Sequence, residues 1–334
     1  MMENAKKIFY HNKKIFILSG ILVLLILLMG FLSPGRFLTV ANFTSMGFQM
    51  AEFGILAVAM SIIILTGGID LSISFNATLS GIVGVLLMRS LTESGVSPIL
   101  TMALGIVVII AISIVCGALN GFFVAYVGIM AILVTLGTRS LYEGIGLNIT
   151  RGMAVSGMPA EWHYIGNGAV FGFPIPLLIY IAVIIIATIF TRCTPWGVSV
   201  YMLGGNPRAT EFSGINTKAV LMKVYILAGA LAGIASIIMA SRYNSMRTDY
   251  GQIYVLQSVA AAVLGGADIG GGEGKVIGTV IAVAILQVIS TGLNIYGVNR
   301  NLVDITVGLI LLIVLTINFF SAREKKAKAA VSTA

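Results

Sequence analysis

Two stretches place a carboxylate beside a glycine pair within otherwise apolar sequence. Residues 64–74 read ILTGGIDLSIS, and residues 263–272 read VLGGADIGGG. In each, an apolar run meets Gly-Gly, one residue, an Asp and an aliphatic residue, and a second apolar run follows. Glycine permits backbone conformations that other residues avoid, and a carboxylate in apolar surroundings needs water or a partner. The pattern predicts an internal repeat of a broken or hinged helix pair, built on Gly67, Gly68 and Asp70 and on Gly265, Gly266 and Asp268. Two roles suit these residues. They form a gate or hinge, as paired glycine-interrupted segments do near translocation paths, or each Asp caps the helix that follows it. A proton relay through either Asp is a third role.

Other chemistries fail on the residues present. Gly270-Gly271-Gly272-Glu273-Gly274-Lys275 approaches a phosphate-binding loop, but that motif needs Gly at 269 and Ser or Thr at 276, where this chain has Ile269 and Val276. No ATP site is expected on this chain. His11 and His163 form no cluster, and Cys116 and Cys193 stand far apart and read as packing residues. No Ser-His-Asp, His-Glu-x-x-His or paired-carboxylate pattern is evident, so neither a catalytic nor a metal site is expected. Five carboxamides, Asn76, Asn120, Gln257, Gln287 and Asn294, lie in or near apolar runs. Buried amides need hydrogen-bond partners. They either join helices or line a polar path for a neutral polyhydroxy solute, with Asn76, Asn120, Gln257 and Asn294 the candidates for that path.

The elements that must position these residues are membrane helices. The 334-residue chain is 58% hydrophobic and 10% charged, with a mean hydropathy of +1.04. A water-soluble globule of this size lacks the polar residues to cover so much apolar surface. Measured against the roughly 20 residues a span needs, the apolar runs predict an all-α polytopic membrane protein of about ten transmembrane helices, with broken or re-entrant segments at Gly-Gly-x-Asp. They lie near residues 15–32, 43–65, 74–88, 98–118, 124–147, 175–191, 221–240, 252–265, 275–293 and 303–320. The eighth is short for a crossing. The first follows Lys6, Lys7, Lys13 and Lys14 and reads as an uncleaved span, being longer than a signal-peptide core. The net charge of +8 is a matter of topology rather than of nucleic-acid binding. Cations at both ends place both termini in the cytoplasm, with residues 1–14 and 321–334 as cytoplasmic segments around a permease domain at 15–320. The loop at 193–220 then faces the cytoplasm, and 148–174 faces outward with Trp162 and Tyr164 as interface anchors. Arg242, Arg247 and Asp249 fall on the outer side and fit the charge rule poorly. Gly117/Gly121, Gly229/Gly233 and Gly274/Gly278 have the small-xxx-small spacing that lets helix backbones approach in lipid.

The cytoplasmic loop carries its own helix signals. Residues 201–216 read YMLGGNPRATEFSGIN. Asn206 suits an N-cap, Pro207 a first helical position and Gly214 a helix end, with Arg208 and Glu211 exposed. This stretch, with AAVLGGADIGGGEGKVIGTVIAVAILQ, ILTGGIDLSIS and the Gly292-Leu293-Asn294-x-x-Gly297-Val298 segment, resembles the permeases of ribose-type ABC importers over nearly the whole chain. It departs at Ile73-Ser74-Phe75-Asn76, where many relatives have Val-Gly-Ser. The resemblance implies a subunit of the bacterial inner membrane that imports a pentose, a hexose or autoinducer-2 by alternating access. It implies partners: cytoplasmic ABC ATPase subunits holding ATP and Mg, a periplasmic or lipid-anchored solute-binding protein, and a second permease in a homodimer or heterodimer. By resemblance, Gly204, Gly205, Asn206, Pro207, Arg208, Ala209, Thr210, Glu211 and Gly214 belong to the coupling helix that docks on the ATPase. The alternative is an ion-coupled secondary transporter of a small polar solute. The scarcity of ionised groups within the spans argues against it.

Overall fold

The computed structural model describes residues 13–299 and, beyond them, 301–303, 305, 306, 308–310, 312, 313 and 316. Where no water reaches the backbone, a helix satisfies its polar groups internally, and the apolar runs form helices. They are α1 (Lys13–Leu32), α2 (Pro34–Phe37), α3 (Val40–Leu65), α4 (Ile73–Glu93), α5 (Pro98–Phe122), α6 (Ala131–Thr150), α7 (His163–Asn167), α8 (Ile175–Cys193), α9 (Pro195–Gly205), α10 (Pro207–Phe212), α11 (Thr217–Tyr243), α12 (Gln252–Leu264) and α13 (Val276–Ile295). Among the described residues, seven helices (α1, α3, α4, α5, α8, α11 and α13) are long and apolar enough to cross a membrane. This is an all-α polytopic membrane protein.

One expected boundary moves, one short segment stays short, and one span is only partly described. The fifth span begins at Ala131 rather than 124, because Phe123–Val127 extends α5 as a π-helical turn that Gly128 ends at φ 84°. The eighth is the 13-residue α12, about 20 Å long at 1.5 Å per residue and shorter than a hydrocarbon core of about 30 Å. Much of the tenth, at 303–320, lies outside the described residues, as do Lys6, Lys7, His11 and the cationic tail.

Helix α3 forms the centre of the bundle. From Ala51 to Leu65 every residue is buried, and α8, α11, α12 and α13 pack around it. Helices α5 and α11 cross at the two predicted small pairs. A side chain at Gly117 would meet the Tyr225 carbonyl and Gly229, and one at Gly229 would meet the Ser113 carbonyl. The backbones therefore touch, and dispersion between them replaces the hydrophobic effect that lipid does not supply.

The segment between α6 and α8 folds back onto the bundle. It contains α7 and a hairpin of β1 (Ala169–Val170) and β2 (Phe173–Pro174), which pair antiparallel with Ala169 opposite Pro174 and Val170 opposite Phe173. Val155 bridges to Met246, and the Gly166 N–H donates to Ser241 Oγ at 2.6 Å. That fold-back corrects one expectation. Trp162 is not an interface anchor but is fully buried beside Ile82, Val85, Ile109 and Met246. Tyr164 stays exposed. Cys116 is buried as expected, whereas Cys193 is exposed at the end of α8 and packs no core.

Candidate functional site

Both glycine breaks end their helices in the same way. Gly67 N–H donates to Ile64 O and Gly68 N–H to Ile63 O, with Gly67 at φ 79°. Gly266 N–H donates to Val263 O and Ala267 N–H to Ala262 O, with Gly266 at φ 96°. This pair of bonds around a left-handed residue closes a helix C-terminus and requires glycine at that position. The left-handed residue is the first glycine of one pair and the second of the other, so the sequence repeat is displaced by one residue in the fold.

That displacement separates the two aspartates. Asp70 is buried. Its Oδ1 accepts from Ser72 N–H at 2.8 Å and Ser72 Oγ at 2.6 Å, and Asn120 Nδ2 from α5 donates to Ser72 Oγ at 2.8 Å. Burial pushes the Asp70 carboxyl above its usual range, and hydrogen bonds from Ser72 and Asn120 oppose the rise. Asp268 is exposed. Its Oδ1 accepts the local Gly270 N–H at 2.8 Å. Both therefore make the same turn to the residue two positions on, but Asp70 also locks α5 to the start of α4. Neither is itself an N-cap. Those positions belong to Ser72 and Lys275.

The two breaks meet each other and the 193–220 loop. Gly272 N–H donates to Leu65 O, the last residue of α3, at 2.9 Å. Tyr201 Oη on α9 donates to Gly274 O at 3.0 Å. Gly204 sits so close that a Cβ there would overlap Leu65 O and the Gly272 nitrogen. The glycine-rich 270–275 segment is thus a backbone packing surface. Beyond this junction, α10 forms as its caps predict: Asn206 Oδ1 accepts from Ala209 N–H at 3.0 Å, Pro207 opens the helix, and Gly214 follows its end at φ 80°. Arg208 and Glu211 are exposed. So is Phe212, at 91%, a residue to which sequence reasoning gave no role.

A second site lies roughly 20 Å back along α3. A cavity of about 90 Å³ is lined by residues of α3, α11, α12 and α13, among them Gln257, Gln287 and Asn294. At its wall Glu52 is fully buried. Its Oε1 accepts from Arg242 Nη1 at 2.6 Å, from Tyr243 Oη at 2.6 Å and from Tyr254 Oη. Of the predicted path residues, Gln257 and Asn294 reach this cavity. Asn76 and Asn120 do not: Asn76 Nδ2 donates to Ser113 O at 3.0 Å between α4 and α5, and Asn120 serves the Asp70 turn. Glu52 was missed because a lone Glu in a long span carries no local pattern. The signal available was its mismatch with the apolar run and the misfit of Arg242 to the charge rule. Arg247 is likewise neutralised, by Asp249 at 3.0 Å.

A family model described as the branched-chain amino acid transport system / permease component matches residues 42–315. The chain is similar to the ribose import permease protein RbsC of Bacillus subtilis (strain 168), 32% identical over 294 residues that cover 87% of this chain and 88% of that protein. It is also similar to the autoinducer 2 import system permease protein LsrD of Enterobacter sp. (strain 638), 31% identical over 305 residues covering 88% and 89%. The LsrD protein of Escherichia coli (strain K12) is 29% identical over 321 residues, covering 93% of each chain. No solved structure matches the chain significantly. With the match spanning most of its length and nearly all of its helices, this chain belongs to the family of branched-chain amino acid transport system permease components.

Proposed function

We propose that this chain is the inner-membrane permease of an ATP-driven importer and moves a sugar-like solute inward by alternating access. The observation that carries the reading is the packing of Gly204 on the backbone of both glycine breaks. It ties α9, and with it the exposed α10, to the end of α3 and to the glycine-rich segment that follows α12, so a push on α10 reaches the central helix α3 directly. A shape change in an ATPase needs such a stiff receiver. The ATPase would be a separate cytoplasmic subunit that holds ATP and Mg. The named cargoes of the relatives, ribose and autoinducer 2, support a sugar-like solute delivered by a periplasmic or lipid-anchored binding protein. A second permease subunit, identical or related, would complete the importer.

Cation placement supports cytoplasmic termini. The Lys14 side chain passes beside Gly266. Lys275 has its pKa lowered by partial burial and by nearby Arg192. Cations thus gather at the junction end, as the positive-inside rule expects of the cytoplasmic face. In that orientation the Glu52 cavity lies toward the outside.

The test is purification of the tagged permease in mild detergent, followed by mass spectrometry. The native chain should bring a stoichiometric ATPase with it. Arg208→Glu and Phe212→Asp, both on the exposed face of α10, should lose the ATPase and solute uptake while permease abundance holds. Unchanged co-purification with both variants would remove the coupling role from α10.

A further inference from the structure

We propose that the Glu52 cavity takes the hydroxyl edge of a neutral polyhydroxy solute, with Glu52 as its central acceptor. The proposal rests on the importer reading above and assigns that reading a place where the solute is held.

The first observation is an incomplete hydrogen-bond set. Glu52 is fully buried, and three donors converge on Oε1, while Oε2 is buried and accepts nothing from the described residues. A buried acceptor without a donor is costly; Oε2 has almost no accessible area in this state, and a solute hydroxyl supplies its donor once the cluster around Glu52 opens. The rest of the wall suits such a ligand. Gln49, Gln257, Gln287, Ser290 and Asn294 also line the cavity. Carboxamides and hydroxyls each both donate and accept, as sugar hydroxyls do. Phe53 and Tyr254 on the same wall have nearly parallel rings with centroids 6.3 Å apart, which gives the C–H face of a sugar an apolar surface.

Charge argues for a neutral ligand. Among the described residues, the lining holds one carboxylate, Glu52, and one guanidinium, Arg242, bonded to each other. The pair leaves no net charge to retain an ion. The cavity of about 90 Å³ exceeds the roughly 10–15 Å³ that one water needs, so it has room for several hydroxyl groups. Arg242 and Tyr243 are partly exposed, with 20% of the Arg242 side chain and 38% of Tyr243 accessible. They stand on the solvent side of Glu52, and a whole ring enters when they give way.

The walls connect this cavity to the junction. Helices α3 and α12, which supply Glu52, Tyr254 and Gln257, end at the glycine breaks that meet Gly204. Movement at α10 therefore bears on both walls that hold the solute.

The experiment combines two readouts on one panel of neutral pentoses and hexoses, with potassium chloride as the ionic control. Uptake of each sugar is measured in cells that carry the whole importer. In parallel, Ser290→Cys in a background with Cys116→Ala and Cys193→Ala reports cavity occupancy through its rate of thiol labelling in purified permease. The sugar that cells take up should slow labelling several-fold, and potassium chloride should not. Glu52→Gln and the milder Tyr254→Phe should each raise the uptake KM about tenfold, as expected for one strong hydrogen bond, with permease abundance and ATPase co-purification unchanged. A sugar that is taken up yet fails to protect the introduced thiol, with an unchanged KM in Tyr254→Phe, would overturn the proposal while leaving the importer reading intact. If the ATPase co-purifies but no sugar of the panel is taken up or protects, the sugar assignment falls, and this site with it.

Discussion

Asp70 and Glu52 are both carboxylates within the bundle, and their partners give them different work. Asp70 is held by its own turn and by Asn120, all close to the end of α3. Its contribution is to fix the angle at which α4 leaves the break. Asp70→Ala would strand the Ser72 N–H and the Ser72 hydroxyl proton in a buried site, at about 1–3 kcal/mol for each donor left unpaired. Asp70→Asn keeps an oxygen that accepts from Ser72 and should cost far less. Thermal unfolding of the two purified variants separates a hydrogen-bonding role from a charge role. The expected order is native, then Asn slightly lower, then Ala well below both. An Asn variant as unstable as Ala would show that the negative charge itself is needed. Asp268, with an exposed side chain on a local turn, carries no comparable burden.

At the scale of the elements, the decisive contacts are glycines pressed against backbone. Helices α5 and α11 approach through Gly117 and Gly229, and a methyl group at Gly229 would meet the Ser113 carbonyl, which cannot swing away as a side chain can. Gly229→Ala should therefore reduce the yield of folded permease sharply, by a cost of about 1–3 kcal/mol for forcing an extra methyl into a packed contact. Gly144 on α6 is the control, because a Cβ there meets nothing within 4 Å. Gly144→Ala should be neutral or stabilising by up to about 1 kcal/mol through helix propensity. Fluorescence-detected gel filtration after graded heating reads both. A loss at Gly144 would show that another chain packs on that face of α6. The short α10 contrasts with these long helices, since its start and stop are written in Asn206, Pro207 and Gly214 and need no distant contact.

For the whole molecule, the central feature is that α3 and α12 each reach from the polar cavity to the glycine junction. Gly204→Ala tests whether the junction transmits motion. Its methyl group would overlap Leu65 O and the Gly272 nitrogen, so the helix ends must separate. The ATPase should still co-purify, because α10 is unaltered, while uptake should fall at least about tenfold, the effect of about 1.4 kcal/mol on a coupled step. Normal uptake in Gly204→Ala would show that the tight packing is not used in transport. The class of the molecule, its long helices, the caps of α10 and the glycine ends of α3 and α12 were all legible in the sequence. Each is set by composition or by residues within one turn of one another, so local physical chemistry decides it. The partner of Arg242, the burial of Trp162, the different surroundings of Asp70 and Asp268, and the convergence of Leu65, Gly204 and Gly272 were not legible. Glu52 and Arg242 stand 190 positions apart, and a one-residue displacement between two similar motifs changes which carboxylate faces the core. Such pairings depend on how helices cross, which is fixed by packing over the whole bundle, and so the tertiary structure alone decided them.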